Sequence, residues 1–394
     1  MKFIIAFIVV MLFMLIGEWV SSISHAYIPS VFITAVLFAI GFWTILPKNI
    51  VADASYGKAF VAICVSMLLV HLGTLMSLKE LIAQWKAVCI ALLGVAGTLV
   101  LCLTIGTLIF DWHTVVAAIP PLTGGVVSAV LMTSGLKAQG ATALIALPVS
   151  MFVLHSVLGY PLTSYMLRTE GRRLVKEFND NGRHLPKEAA AANNMDTGAD
   201  DTSTGVFHLP AEFQTSAFIL VRVAAVALFS NWIAGFVHIN ANVLCLVFGV
   251  LAHQFGFLES SALNKAGVFN WLMYGLLAYV FSQLNMTSPA IIGSIIGKII
   301  VLIALGLLGM FLASWLLAKP FGMTWHMAYA CSLTSLFGFP ADYILTSEIA
   351  RTMANDKEEE SYLLYHMMPK MLVGGFATVS VASVIIASIF LKLI

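Results

Sequence analysis

Residues 325–350 read WHMAYACSLTSLFGFPADYILTSEIA, and this stretch decides the fold. It is apolar enough to lie in a membrane, but Gly338-Phe339-Pro340 interrupts it near its centre. Proline has no N–H to donate, and glycine weakens a helix, so the helical hydrogen-bond ladder breaks there. Inside a bilayer such a break is tolerated only where protein or a water-filled cavity satisfies the freed backbone groups. The stretch therefore predicts a re-entrant segment over about 325–350.

A second segment of the same kind lies earlier in the chain, at about 114–136. It contains Pro120-Pro121 and Gly124-Gly125 within an otherwise apolar run. Two broken segments in one apolar chain are typical of transporters, in which discontinuous helices supply backbone ligands near the middle of the membrane.

The composition places the chain in a membrane. Of its 394 residues, 60% are hydrophobic and only 10% are charged, whereas soluble domains carry roughly 25% charged residues. The formal net charge is +1, and without a basic stripe this argues against nucleic acid as a partner. The five cysteines form no C-x-x-C pair, which argues against a zinc site.

Ten apolar runs are close to the ~20 residues that a membrane-spanning helix needs. We expect an all-α membrane protein with spans at about 3–22, 29–46, 58–76, 86–110, 139–167, 214–236, 241–258, 268–286, 291–317 and 361–391.

Residues 169–213 are polar and predict a flexible linker between two halves, 1–168 and 214–394. With the linker in the cytoplasm and both broken segments re-entrant, lysines and arginines concentrate on the cytoplasmic side. We expect a multi-pass protein of the cell inner (plasma) membrane. In this orientation both termini lie outside. The cytoplasmic cations would be Lys79, Lys86, Arg168, Arg172, Arg173, Lys176, Arg183, Lys187, Lys265 and Lys319, against Lys2, Lys48, Lys58 and Lys392 outside.

The two halves resemble each other at a nearly constant offset. Trp19 matches Trp232 at an offset of 213, and the pair Leu122-Thr123 matches Leu333-Thr334 at 211. Five spans in each half force opposite orientations on the halves. The sequence thus predicts two inverted repeats of five transmembrane helices, each with one broken segment.

Three stretches resemble the bacterial glutamate–sodium symporter family. Residues 330–340 (ACSLTSLFGFP) resemble its second glycine-rich re-entrant segment, 366–376 (HMMPKMLVGGF) its following helix, and 71–78 (HLGTLMSL) the end of its third helix. The resemblance implies an elevator-type carrier driven by sodium, with glutamate, another amino acid or a dicarboxylate as cargo.

The candidate substrate site consists of the residues at the two breaks. Backbone N–H groups and hydroxyls there could bind an anion, and a buried lysine could contact a carboxylate. The candidates are Thr123, Gly124, Gly125 and Ser128 in the first half, and Thr334, Ser335, Gly338 and Lys370 in the second.

Asp342 is the leading candidate for an ion ligand, because a carboxylate in an apolar segment is costly and usually functional. Gly73, Thr74, Gln283 and Asn285 close the third helix of each half and offer the neutral oxygens that sodium prefers.

Other charged and polar residues in apolar runs have structural interpretations. Glu348 and Arg351 are three apart and could pair on one helix face. His71 and His155 are interpreted as packing or hydrogen-bonded residues.

Three function classes follow, and the first is favoured: a carrier that couples a small organic anion to sodium. Proton coupling through Asp342 and antiport remain open within that class. The second class, an intramembrane enzyme, has no H-E-x-x-H or G-x-S-x-G motif to support it, so we expect no enzyme and no cofactor beyond a coupling sodium ion. The third, a membrane scaffold without transport, leaves the paired breaks unexplained. A homodimer is one candidate assembly.

The orientation gives a first test. Protease added to intact, right-side-out cells should leave the linker at 169–213 uncut, because the membrane shields a cytoplasmic loop. The same protease should cut it in inverted vesicles. Cleavage in intact cells would reverse the predicted topology.

Overall fold

The computed structural model describes residues 1–24, 28–74, 84–141, 144–186, 215–237, 241–286 and 289–394. Over these ranges the chain is built from helices joined by turns, without a strand. The prediction of an all-α protein is confirmed for this part of the chain. The predicted linker from residue 187 onward and the last two residues of the predicted span 58–76 lie outside the described residues.

Most helices overlap the predicted spans, but α7 begins and ends later than the predicted span 139–167, and each break appears between helical pieces. In the first half they are α1 (Lys2–Ile23), α2 (Ser30–Thr44), α3 (Ile50–Asp53), α4 (Lys58–Gly73), α5 (Trp85–Ile109), α6 (Trp112–Ala138) and α7 (Ala146–Asp180). In the second half they are α8 (Ser216–Val237), α9 (Ala241–Gln254), α10 (Ala262–Lys265), α11 (Phe269–Ser282), α12 (Pro289–Ala318), α13 (Trp325–Leu333), α14 (Ala341–Met353), α15 (Lys357–Gly375) and α16 (Ser383–Leu391). A π-helical stretch, Phe376–Ala382, joins α15 to α16.

Within the described ranges, four helices are long and apolar enough to cross a membrane: α1, α5, α8 and the Ile295–Ala318 part of α12. Their mean hydropathy is 1.9 to 2.6, yet only 22% to 33% of each apolar window is buried inside the protein. So much exposed apolar surface is stable against lipid and unstable against water. The fold is therefore that of a helical membrane protein.

Helices α5 and α12 cross at a pair of glycines. A Cβ atom on Gly97 would lie 2.3 Å from the Gly309 carbonyl oxygen, and one on Gly309 would lie 2.3 Å from the Gly97 carbonyl oxygen. Further along, the Cys102 thiol donates to the Leu302 carbonyl over 3.5 Å. Residue numbers at the contacts decrease along α12 as they increase along α5, so the two helices are antiparallel. Small residues allow this close backbone approach, a common basis of helix packing in membranes.

Helices α4 and α9 meet in the same way. A Cβ atom on Gly73 would lie 2.5 Å from the Leu246 carbonyl oxygen, and one on Gly249 would lie 2.3 Å from the Val70 carbonyl oxygen. Around these crossings the buried apolar side chains form two clusters. One cluster surrounds the two broken segments, and the other joins α4 to α8, α9, α10 and α11.

Helix α7 is longer than the sequence indicated, which corrects the start of the predicted linker. The helix continues through residues 169–180, because Arg173 bridges Glu170 (2.7 Å) and Glu177 (2.6 Å) on the same face. Its end also packs on α15, where the rings of Phe178 and Tyr362 have centroids 4.6 Å apart. Tertiary contact thus extends a helix whose last turns are polar.

An ion pair joins the loop before α15 to the end of α7. Asp356 caps α15 by accepting hydrogen bonds from the amides of Glu358 (3.1 Å) and Glu359 (2.9 Å), and Arg183 forms an ion pair with it. The Glu359 amide and the Arg183 guanidinium hold the pKa of the Asp356 carboxyl below its usual range. These contacts close one end of the bundle around the second broken segment.

The glycine crossing can be tested by substitution. Gly309→Ala should destabilise the purified protein in detergent by about 1–3 kcal/mol, the usual cost of overpacking. Gly297→Ala on the same helix is the matched control, because a Cβ there meets nothing within 4 Å. The control should be neutral or slightly stabilising. Equal unfolding midpoints for the two variants would contradict the crossing.

Candidate functional site

The first break lies inside α6, at Gly125. This residue has φ 57° and ψ −142°, a conformation that interrupts the helix and that a side chain would strain. Pro120 and Pro121 precede it, and the Thr123 hydroxyl donates to the Pro120 carbonyl over 3.1 Å. The predicted broken segment is thus two helical pieces meeting at a left-handed glycine.

The second break lies between α13 and α14. Helix α13 ends in a 3₁₀ turn, Thr334–Leu336, and Gly338 then takes φ 60° before a cis peptide to Pro340. The Gly338 amide donates to the Thr334 carbonyl over 2.7 Å and closes the turn. Gly125 and Gly338 both have a positive φ and are 213 positions apart, the offset at which Trp19 matches Trp232.

The two breaks contact each other. A Cβ atom on Gly125 would lie 3.2 Å from the Leu336 carbonyl oxygen. On its other side the first break packs on α16: the Ser128 hydroxyl donates to the Ser383 carbonyl over 3.1 Å, and a Cβ on Gly124 would lie 2.3 Å from the Ser383 Cβ. The interrupted backbone of each half is therefore enclosed by protein.

Asp342 lies in the first turn of α14 and is fully buried. Its Oδ1 accepts a hydrogen bond from the Tyr343 amide over 2.7 Å. Its Oδ2 is also buried but has no hydrogen-bond partner among the described residues. A Cβ on Gly375 would lie 2.4 Å from this oxygen, so the site leaves room for a carboxylate only because residue 375 is glycine. A buried carboxylate oxygen without a donor is the kind of group that binds a cation.

The other second-half candidates lie around this point with different partners. The Thr334 hydroxyl donates to the Cys331 carbonyl over 2.6 Å, and the Ser335 hydroxyl faces the Met310 sulfur on α12 at 3.9 Å. Lys370 donates to the carbonyl of His366 on its own helix. All three are therefore engaged within or between helices in this arrangement.

The candidates at the ends of α4 and α11 lie elsewhere. Gly73 is used in the crossing with α9, and the Thr74 hydroxyl donates to the His71 carbonyl over 2.7 Å. The Asn285 amide donates to the Lys48 carbonyl over 3.1 Å, in the loop after α2. Among the described contacts, none joins these residues to the breaks. The side chain of Gln283 lies outside the described residues.

A cavity of about 240 Å³ lies beside α14, against α1, α2 and α11. Arg351 and Ser347 line it from α14, and Thr34, Asn270 and Tyr274 from the facing helices. Arg351 is the cation of its lining, and three carboxylates, those of Glu18, Glu348 and Glu360, also line it, next to the helix that carries Asp342. A polar ligand could reach α14 by this route.

Glu348 also lines this cavity, and it corrects one expectation. Instead of pairing with Arg351, its buried carboxylate accepts hydrogen bonds from the backbone amide (3.1 Å) and the hydroxyl (2.9 Å) of Ser30. Ser30 is the first residue of α2, where free N–H groups and the helix dipole favour an anion. The residue therefore joins α14 to the start of α2.

Sequence reasoning missed two residues at the breaks, Ser383 and Gly375. They carry no local signal, since small residues are common in apolar helices. His155 was interpreted as a packing or hydrogen-bonded residue, and it is hydrogen-bonded: its ring contacts the Leu336 carbonyl at 2.5 Å. The sequence did not indicate that partner.

Comparison with protein-family models gives no match for this chain, and comparison with curated proteins gives none either. The chemistry of the site is therefore argued from its geometry.

The left-handed glycine of the second break yields a test. Gly338→Ala should destabilise the protein by more than the ~1–2 kcal/mol of backbone strain alone, because its Cβ would also lie 2.8 Å from the Val379 side chain. Gly140→Ala is the control: its φ is 75°, yet a Cβ there meets nothing within 4 Å. Thermal unfolding in detergent measures both. If Gly338→Ala lowers the stability no more than Gly140→Ala does, the packing described around the break is contradicted.

Proposed function

We propose that this chain is a secondary active transporter that couples the symport of a small organic anion, such as an amino acid or a dicarboxylate, to a cation, with sodium favoured. The observation that carries the proposal is the meeting of two helix breaks beside a buried carboxylate with an unpartnered oxygen, Asp342. Broken helices at a shared site are how carriers bind ions and anions within a membrane.

An inverted repeat is supported by the direction of equivalent helices. The glycines at the α5–α12 crossing, Gly97 and Gly309, are 212 positions apart, close to the repeat offset, and their helices are antiparallel. All four long apolar helices belong to two equivalent pairs, α1 with α8 and α5 with α12. Equivalent spans that run in opposite directions are what an inverted repeat requires.

Contacts between the halves also occur in equivalent pairs. The rings of Phe38 on α2 and Phe281 on α11 have centroids 5.8 Å apart. Adding 211 to 38 gives Gly249 on α9, and subtracting 211 from 281 gives Val70 on α4. These two residues are in contact as well. A pseudo-two-fold axis between the halves accounts for such pairs. We assign 1–168 and 214–394 to the two repeats and propose an elevator-type mechanism.

The electrostatics of the breaks suit an anionic cargo and a sodium ion. A helical piece begins after Gly125 and another at Ala341, and the start of a helix carries partial positive charge. These starts favour the anion. The Asp342 carboxylate supplies the hard oxygen and the negative charge that sodium prefers.

The cavity beside α14 supports a route to this site. It lies between α14 on one side and α1, α2 and α11 on the other. In an elevator carrier the broken segments move against the remaining helices, so the cargo must enter at that boundary.

The resemblance to glutamate–sodium symporters favours sodium, and a plasma-membrane location with the linker in the cytoplasm follows from it and from the charge distribution. A homodimer is the assembly proposed. Proton coupling or antiport on the same fold is the main alternative, since a buried carboxylate can also carry a proton. A membrane scaffold without transport is the remaining alternative.

The proposal is tested by uptake. The purified full-length chain is reconstituted into proteoliposomes, and uptake of radiolabelled amino acids and dicarboxylic acids is measured with sodium and proton gradients imposed separately. An inward sodium gradient should drive uptake of at least one of these anions. No uptake with either gradient would favour the scaffold.

Asp342→Asn should then weaken sodium activation at every pH, raising the sodium concentration for half-maximal uptake on the order of ten-fold, or about 1.4 kcal/mol. Asp180→Asn, at the exposed end of α7, should behave like the wild type. Loss of acid-stimulated uptake with surviving counterflow would favour proton coupling. Unchanged sodium and pH dependence would mean that Asp342 is structural.

A further inference from the structure

His155 lies on α7 and is fully buried. Its Nδ1 is 2.6 Å from the Met151 carbonyl oxygen, one turn earlier on the same helix. Its Nε2 is 2.5 Å from the Leu336 carbonyl oxygen, in the second break. The ring therefore links α7 to the broken segment.

The Leu336 carbonyl needs a donor because the helix stops there. In a continuous helix this oxygen would accept a hydrogen bond from the amide of residue 340. Residue 340 is proline and has no N–H. An unpaired buried carbonyl costs free energy, so the His155 ring occupies the place of the missing amide.

Two carbonyl partners require two ring protons. A carbonyl oxygen only accepts hydrogen bonds, and a neutral imidazole has one N–H and one acceptor nitrogen. A neutral His155 would therefore point a lone pair at one of its two carbonyls. The imidazolium ion has an N–H at both positions and fits both distances.

His71 provides a contrast within the same chain. It is also fully buried, but its Nδ1 accepts a hydrogen bond from the Leu263 amide over 3.1 Å. This bond needs an unprotonated nitrogen, so a second proton would break it. The chain thus has one buried histidine arranged for the charged ring and one arranged for the neutral ring.

The surroundings of His155 decide how firmly a proton is held. Removal from water disfavours the charged ring and is the larger effect, while the hydrogen bonds to the Leu336 and Met151 carbonyls act against it. Helix α2 brings no ionisable side chain against α7. The other helices packed on α7 carry His113 and Lys137 (α6), Lys298 (α12), His326, Tyr329 and Cys331 (α13), Tyr343, Glu348 and Arg351 (α14), and 357–360, Tyr362, Tyr365, His366 and Lys370 (α15). Tyr160 lies on α7 itself, and Asp342 is the acidic group of the second break.

We propose that His155 is a proton-binding site: its protonated ring donates to the Leu336 carbonyl, and loss of the Nε2 proton to water releases the second break. Leu336 also contacts Gly125, so the release reaches the first break. If the chain is the carrier proposed above, a proton is then taken up or given up as the breaks move. The protonation itself does not depend on transport.

The first experiment counts ring protons. Nitrogen NMR of the full-length, ¹⁵N-histidine-labelled chain in detergent micelles is recorded at about pH 5 and about pH 9, on either side of the usual histidine range. His155→Gln and His71→Gln assign the two rings. His155 should carry two N–H groups at the lower pH and one at the higher, and His71 one at both. The same number of protons on His155 at both values overturns the proposal.

The second experiment follows the break. The amides of Phe337 and Gly338 donate to the Thr334 carbonyl, so their hydrogen exchange reports opening of the turn. At about pH 5 the wild type should exchange about ten-fold more slowly than His155→Gln, the effect of one charge-assisted hydrogen bond. At about pH 9 the wild type and His155→Gln should exchange at the same rate. Comparing the two proteins at the same pH cancels the intrinsic pH dependence of exchange.

Two controls complete the exchange test. His71→Gln should show a ratio to the wild type that does not change with pH. If His155→Gln does not fold, His155→Asn takes its place in both experiments. A ratio of wild type to His155 variant that is the same at both pH values overturns the proposal. Because neither readout uses uptake, an inactive chain with a titrating His155 would refute only the transport function.

Discussion

Unpaired backbone groups at the two helix breaks are the constraint on which the rest of this structure depends. An apolar environment offers no water to the carbonyls and amides that a break sets free, so protein must supply their partners. The clearest case is the Leu336 carbonyl, which Pro340 cannot satisfy and which the His155 ring meets instead. The first break packs against the same carbonyl at Gly125. Each break is thereby stabilised by the other half of the chain.

Glycines at the helix crossings allow the helices to approach closely enough for the two breaks to stabilise each other. Between helices in lipid there is little hydrophobic driving force, so close backbone contact and hydrogen bonding provide much of the stability. Gly97 and Gly309 bring α5 and α12 together, and Gly73 and Gly249 do the same for α4 and α9. These contacts hold the helices that surround the breaks, while the breaks themselves keep irregular backbone at the centre.

Polar groups within this framework differ in how completely they are paired, and the difference bears on function. Glu348 accepts two hydrogen bonds at one oxygen, Oε2, from Ser30 at the start of α2, which joins the two helices. Asp342 has one oxygen bonded and one without a partner among the described residues, in a space that Gly375 keeps open. His155 has two partners that a neutral ring cannot serve together. We propose that a cation completes the contacts of Asp342 and a proton those of His155, which would distinguish both from the packing residues around them.

The sequence by itself determined the all-helical membrane character, the location of both breaks and the position of Asp342 in the first turn of its helix, because hydropathy, proline and glycine act locally. It did not determine where α7 ends, since the polar turns beyond residue 168 are held by contacts with α15. It assigned Glu348 to Arg351, although the tertiary structure gives it to Ser30, 318 positions away. Only the tertiary structure put His155 against Leu336 and Gly375 against Asp342. Those contacts join residues distant in the chain, and no local pattern encodes which buried group will meet which.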